Sequence, residues 1–160
     1  KMGHKNILWI AGPPHHHQSN QRFVGISKAA AELGATVSVM SSPSLDFLSG
    51  EHMAPKIIEA GPLPDAIFGG NDAIALGIAN YFYKVGINVP DDISILGFDN
   101  VSYAESALVP LTTVSQTPYQ LGYTMGQQMV AELKNDPAHL HQHVLFQPQI
   151  VERASVKARN

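Results

Sequence analysis

The stretch from Pro64 to Asn100, PDAIFGGNDAIALGIANYFYKVGINVPDDISILGFDN, holds a strand, a helix and a second strand in direct succession. Its first apolar run, over residues 66–68, is followed by two glycines and then by Asn71. Asparagine is a favoured N-cap residue, and the acidic Asp72 after it suits the positive end of a helix dipole. A helix is therefore predicted to begin at Asp72.

The second half of this stretch ends the helix and adds another strand. Apolar residues recur at helical spacing over 72–85, and Pro90 prevents the helix from continuing. The next apolar run, over 93–96, closes on a segment that contains Asp99. Asn71 and Asp99 thus follow consecutive strands, and ligands bind at the carboxyl ends of the strands in open α/β sheets.

The same alternation of strands and helices continues along the whole chain. Strands are predicted near 6–10, 36–40, 65–68, 93–96 and 113–115, with one or two more between 144 and 156. Helices are predicted near 20–33, 50–60, 72–85 and 119–134. This order predicts an α/β fold, with a parallel sheet covered by helices on both faces.

Composition narrows the class of protein. The chain has 160 residues, of which 44% are hydrophobic and 14% charged, as expected for a compact domain with one core. The net charge of -3 argues against DNA binding by this segment, because modules that bind phosphates usually carry a basic face. Cysteine is absent, which excludes disulfides and thiolate metal sites. No apolar run approaches the roughly 20 residues that span a bilayer.

Short motifs spread over nearly the whole chain match one known family in order and spacing. They are Gly3-His4, Ala11-Gly12-Pro13, Arg22, Gly25, Leu33-Gly34, Asn71-Asp72, Pro90-Asp91-Asp92-Ile93-Ser94, Gly97-Phe98-Asp99, Leu111-Thr112-Thr113-Val114, Gln116, Leu121-Gly122 and Arg153. With them the chain resembles the effector-binding domain of the LacI/GalR (lactose-repressor/galactose-repressor) family of bacterial transcription regulators. That domain has a periplasmic binding protein type I-like fold.

The resemblance implies a sensor that binds a small molecule, such as a sugar, and thereby changes the operator affinity of an attached helix-turn-helix. The sequence contains no helix-turn-helix, and its first residue is Lys1 rather than methionine. We therefore expect the chain to be part of a longer, cytoplasmic parent protein. The N-terminal DNA-binding headpiece and most of a first subdomain would precede it.

The family's chain path implies a division of the sequence into three segments. Residues 1–114 would form most of the C-terminal subdomain, 115–145 would cross to the missing N-terminal subdomain, and 146–160 would return. The predicted helix over 119–134 would then lack its normal partner, leaving its apolar stripe exposed.

Five residues are candidates for binding the effector. Arg22 offers several donors in a fixed fork, and Asp99 offers an acceptor at a strand end that could bind a polyol or pair with Arg22. Asn71 serves as a helix cap, either alone or while also contacting ligand. By family position, His16 and Gln18 line the effector cavity.

Two clusters of histidines could suggest a metal site. His15 to His17 are adjacent residues, which seldom converge on one ion, and the cluster of His139, His141 and His143 follows a proline in a predicted loop. The sequence therefore predicts neither a metal nor a cofactor.

The chemistry of the effector stays open at this point. Where sugar-binding relatives often place an aromatic ring, the nearest matching position here is Leu45, with Phe47 close by. Sugars, sugar phosphates, nucleosides and purines all remain candidates.

Two other functions compete with the regulator. A periplasmic sugar-binding protein of a transport system shares the fold and the Gly-Phe-Asp strand end, but the segments Pro90 to Ser94 and Leu111 to Val114 favour the regulator. An enzyme is not predicted, and no catalytic residue is assigned, because the motifs Gly-x-Gly-x-x-Gly, P-loop, Gly-x-Ser-x-Gly and His-Glu-x-x-His are all absent.

A homodimer follows from the resemblance. Its candidate surface is the helix face that carries Leu76 and Asn80, although helical spacing alone would equally place Leu76 in the core.

Overall fold

The computed structural model describes residues 2–15, 17–134 and 141–159 and shows a six-stranded sheet. The strands are β1 (Asn6–Ala11), β2 (Thr36–Ser41), β3 (Ala66–Gly69), β4 (Ser94–Phe98), β5 (Thr112–Ser115) and β6 (Gln149–Val151). The α-helices are α1 (His17–Glu32), α2 (Phe47–Glu59), α3 (Asp72–Lys84) and α4 (Pro118–Leu133). A short 3₁₀ helix spans Ser102–Ala104.

The order of the strands across the sheet is β2-β1-β3-β4-β5-β6. The chain first builds from β1 toward β2 and then, from β3 onward, in the opposite direction. The reversal leaves a crevice between the carboxyl ends of β1 and β3, the position where such sheets bind ligands. The first five strands pair in parallel, so the loop after each of them emerges at this edge.

The main core lies between one face of the sheet and the helices α2 and α3. Inward-facing residues of β1, β3 and β4, among them Ile10, Ile67 and Ile95, are fully buried against this helix pair. On the opposite face, where α1 lies, Trp9 is fully buried and meets Phe68 edge to face at 5.1 Å. The central strands β1 and β3 are thus apolar on both faces, as doubly covered strands require.

The helices α2 and α3 cross in direct backbone contact. A Cβ atom added at Gly50 would overlap the Ile74 carbonyl oxygen, and one at Gly77 would overlap the Phe47 carbonyl oxygen. The two glycines therefore set how closely α2 and α3 pack against each other.

Helix α4 stands apart from this core. None of its residues is buried, and Tyr119, Met129 and Leu133 are 81%, 67% and 75% exposed. The exposed apolar stripe expected for this helix is therefore present.

The predicted helices and strands are confirmed, with two shifted helix starts and an antiparallel last strand in a sheet that is otherwise parallel. Helix α1 begins at His17, so Gln18 lies in its first turn and not in a loop. Helix α2 begins at Phe47 because the carboxylate of Asp46 caps it, accepting from the Ser49 amide at 2.7 Å. Strand β6 runs antiparallel to β5, since β5 ends at the carboxyl edge and the chain returns from that edge without crossing back.

Replacing Gly77 tests the helix crossing. Gly77→Ala is expected to lower the free energy of unfolding by about 1–3 kcal/mol, because backbone atoms of α2 cannot move away without separating the helices. Urea unfolding measures the change. Gly25→Ala on α1, where nothing lies within 4 Å of the added carbon, is the control and should stabilise by about 0.5–1 kcal/mol. Equal effects of the two changes would contradict this account.

Candidate ligand-binding site

The guanidinium of Arg22 bridges the ends of two strands at the crevice. It reaches from α1, donates from Nη1 to the Gly70 carbonyl just after β3 at 2.9 Å, and lies 3.6 Å above the ring of Phe98 at the end of β4. A hydrogen bond on one edge and a ring beneath one face hold the group in a single orientation. Its remaining N–H groups are available to a ligand.

Asp99 stands at the same edge, directly after β4. Its φ is 109°, and its amide donates to the Val114 carbonyl at 2.9 Å. One carboxylate oxygen accepts from Gln116 Nε2 at 3.2 Å. A non-glycine residue at such a φ is strained, and strain of this kind concentrates at functional sites.

Arg22 and Asp99 influence each other electrostatically but form no direct ion pair. Burial raises the pKa of the Asp99 carboxyl, while the charge of Arg22 and the Gln116 hydrogen bond act to lower it. Burial likewise lowers the pKa of the Arg22 guanidinium, while Asp99 acts to raise it. Within the described part of the chain the two groups form no ion pair within 4.0 Å. Each therefore loses hydration without gaining a direct partner in the other.

Asn71 ties two loops together at this edge. Its Oδ1 accepts from the Ile74 amide at 3.0 Å, which caps α3, and its Nδ2 donates to the Leu45 carbonyl at 2.8 Å. The Leu45 side chain also contacts the backbone position of Gly70. Both polar atoms of Asn71 thus have protein partners.

The remaining two candidates belong to the start of α1. Gln18 is exposed and lies four residues before Arg22, which places the two side chains on one helix face. His16 lies outside the described residues.

Three parts of the site were not predicted from the sequence. Phe98 supports the Arg22 guanidinium, Gln116 holds Asp99, and the Gly70 carbonyl orients Arg22. Phe98 and Gln116 each belonged to a recognised motif, so their positions beside Asp99 could have suggested a role. A backbone carbonyl carries no residue-type signal.

A separate groove of about 520 Å³ lies along the outer side of α3. It is lined by Phe47, Leu76, Ala79, Asn80, Tyr83, Ile87, Asn88, Val89, Tyr103, Ala107, Leu108 and Val109. No charged side chain lines it, and none of the ligand candidates does. Leu76 is only 8% exposed and is part of the core, while Asn80 Nδ2 donates to Glu51 Oε1 at 2.8 Å.

Within residues 2–15, 17–134 and 141–159, no group of three or more histidine, aspartate or glutamate side chains is arranged to hold a metal ion. His16 and His139 fall outside them. In the same ranges no helix combines the length and the apolar character needed to cross a membrane.

The parallel sheet, the reversal of strand order and the polar cluster at the crevice define a ligand-binding α/β domain. The chain belongs to the periplasmic binding protein-like domain family, which it matches over residues 1–156, and is of the type found in LacI-family regulators.

Individual relatives agree with this assignment. The chain is 34% identical over 160 residues to the HTH-type transcriptional repressor PurR of Photobacterium profundum, covering 99% of this chain and 48% of that protein. The chain thus spans about half the length of the curated relatives it matches.

Solved structures give the same result. A LacI-family regulator from Enterococcus faecalis with bound ribose superimposes with a TM-score of 0.84 at 28% identity, covering 98% of this chain and 56% of that one. The lac repressor dimer bound to operator and an anti-inducer superimposes with a TM-score of 0.86 at 25% identity, covering 98% and 54%.

Substitutions at Asn71 test its two structural contacts. Asn71→Ala is expected to lower the free energy of unfolding by about 1–2 kcal/mol, because α3 loses its cap and the Leu45 carbonyl loses its donor. Asn71→Ser keeps a capping hydroxyl and should lose only about half as much. Chemical denaturation compares the three proteins. A serine variant as unstable as the alanine variant would show that the cap contributes little.

Proposed function

We propose that the chain is the ligand-sensing part of a bacterial transcription regulator and that it binds a neutral, polyhydroxylated small molecule between Arg22 and Asp99. The observation that carries the proposal is the pairing of these two groups. The Arg22 guanidinium lies 3.6 Å over the ring of Phe98, the residue directly before Asp99, so both groups lie at the same edge, partly dehydrated and without an ion pair between them. A hydroxyl group can accept from a guanidinium while it donates to a carboxylate, so a diol satisfies both residues at once.

The charges favour a neutral ligand over a phosphorylated one. A phosphate placed on Arg22 would also face the carboxylate of Asp99, whose repulsion offsets much of the attraction. The site offers little to a nucleobase, because Leu45 occupies the expected aromatic position and Arg22 already covers Phe98. Phe47 lines the outer groove instead. The ribose bound to the Enterococcus faecalis relative supports the same ligand class.

Helix α4 supports the proposed division of the chain. With residues 115–145 assigned to a second subdomain, its exposed apolar stripe would be covered in the parent protein. Residues 1–114 and 146–160 would form the subdomain that holds Arg22, Asp99, Asn71 and Gln18. A ligand held between two subdomains favours their closed arrangement, which is how binding would change the affinity for operator DNA.

The DNA contact itself would lie in a headpiece outside this chain, consistent with the chain's net charge of -3 and with the repressor names of its relatives. In this account the protein acts in the cytoplasm, by binding and without turnover. The alternative is a periplasmic sugar-binding protein of a transport system, which the LacI-type relatives do not favour.

The groove along α3 is the proposed homodimer surface. It is mostly apolar and carries no charged side chain, and it has features expected of an interface, namely the exposed residues Tyr83, Tyr103 and Leu108 around a buried floor at Leu76. A solved relative, the lac repressor, is described as a dimer. Because Leu76 is buried, Leu108 is the better position at which to test the surface.

Ligand binding is tested with the full-length gene product by titration calorimetry against neutral pentoses and hexoses and their phosphates. A neutral sugar should bind more tightly than its phosphate. Arg22→Leu and Asp99→Asn should each weaken binding about 10- to 100-fold, because each removes a charge-assisted hydrogen bond. Lys28→Met on the exposed side of α1 is the control and should leave the affinity unchanged. Preference for the phosphates would refute the neutral ligand.

Dimerisation is tested by sedimentation. Leu108 is 66% exposed, and Leu108→Asp should shift the protein toward monomer because it places a charge in the apolar groove. Val24→Asp on α1, at a residue 60% exposed and outside the groove, should leave the association state unchanged. A Leu108→Asp variant that sediments as wild type would exclude this groove as the interface.

A further inference from the structure

The segment that carries Asp99 has an unusual backbone. Asp99 and Asn100 are consecutive non-glycine residues with φ of 109° and 55°. Such a conformation is strained for a non-glycine residue and persists where its surroundings hold it in place. Side chains from three other segments of the chain contact residues 99–101 and hold this backbone in place.

A buried carboxylate makes the first set of hydrogen bonds that fix this segment. Asp72 is fully buried at the start of α3, and its Oδ2 accepts from the Val101 amide at 2.8 Å. Its Oδ1 accepts from Thr113 Oγ1 at 2.5 Å. Gly97 leaves the necessary room, since a Cβ atom there would overlap the Asp72 carboxylate.

Thr113 and Arg153 make the second set of hydrogen bonds that fix this segment. Thr113 Oγ1, fully buried on β5, accepts from the Asn100 amide at 3.3 Å. The Nη2 of Arg153 donates to Asn100 Oδ1 at 2.8 Å, and its Nη1 donates to the Leu111 carbonyl at 2.8 Å. Together with the bond from the Asp99 amide to Val114, every backbone amide from 99 to 101 has a partner.

This network is more extensive than helix capping or strand pairing requires. Asn71 already caps α3, so the carboxylate of Asp72 is not needed for that purpose. Burial raises the pKa of the Asp72 carboxyl, which means that burying its charged form costs free energy. All of its hydrogen bonds lead toward the loop that presents Asp99 and toward the strand beside it.

We propose that Asp72, Thr113 and Arg153 are positioning residues that hold Asp99 at the ligand site by fixing residues 99–101, with Asp99 and Asn100 at positive φ. None of the three needs to touch the ligand. The inference rests on the proposed function only where it concerns ligand affinity. The hydrogen bonds that fix the backbone of residues 99–101 do not depend on any ligand.

The deciding experiment is solution NMR of the chain, with backbone couplings that report φ at Asp99 and Asn100. Thr113→Val removes the hydroxyl while keeping the shape, so both residues should move to negative φ in a substantial fraction of molecules. Ser155→Ala is the matched control. Ser155 is also buried and bridges β4 and β5, donating to the Ile95 carbonyl at 2.6 Å and accepting from the Thr112 amide at 2.8 Å, away from the loop.

The control should lower the midpoint of thermal unfolding but leave both φ values positive. If Thr113→Val does not fold, Arg153→Gln serves as the second variant, because Arg153 is only half-buried and its loss frees Asn100 Oδ1. Positive φ at both residues in every folded variant would overturn the proposal. So would loss of positive φ in Ser155→Ala.

A binding measurement separates this inference from the proposed function. With the sugar that binds most tightly, Thr113→Val should weaken affinity about tenfold, and adding Asp99→Asn to it should weaken binding no further than Asp99→Asn alone. Full additivity of the two losses would show that Thr113 does not act through Asp99. If no sugar binds the wild-type protein, the proposed function fails, and the φ measurement still decides the inference.

Discussion

Parallel pairing of β1, β3 and β4 is the constraint on which the site depends. A parallel strand cannot be followed directly by its neighbour, so the chain must cross the sheet through a helix each time. The loops that follow the strands therefore all emerge at one edge. Arg22 from the β1 side and Asp99 from the β4 side both lie at this edge although 77 positions of sequence separate them. The crossing helices cover both faces of the sheet, which explains why the central strands are apolar on both sides.

Much of this arrangement could be predicted from the sequence, because it rests on local signals. The glycines and cap before α3, the breaker at Pro90 and the apolar runs each act within a few residues. The support of Arg22 by Phe98, the bond from Gln116 to Asp99 and the antiparallel direction of β6 could not be derived in this way, since each depends on where distant segments meet. Asp72 illustrates the difference: its place at the start of a helix suggested a dipole interaction, but its burial beneath the loop after β4 follows from the fold.

Two apolar surfaces of different kinds remain on the described part of the chain. The groove along α3 is concave and continuous with the core, since Leu76 belongs to both. The stripe on α4 belongs to a helix that buries none of its residues. A concave surface joined to a core suits a second copy of the same subdomain, whereas a detached helix suits the subdomain into which its own chain continues. In the proposed function, association between molecules and closure within one molecule would therefore use different surfaces.

Trp9 has a consequence for how the protein can be observed. It is the only tryptophan of the chain, it is fully buried, and its indole N–H has no acceptor among the described residues. Its ring packs on Phe68, two residues before the carbonyl that orients Arg22. Tryptophan fluorescence therefore comes from a single buried environment beside the crevice. This single residue is an intrinsic optical probe, whose signal should change when the protein unfolds and when β3 rearranges.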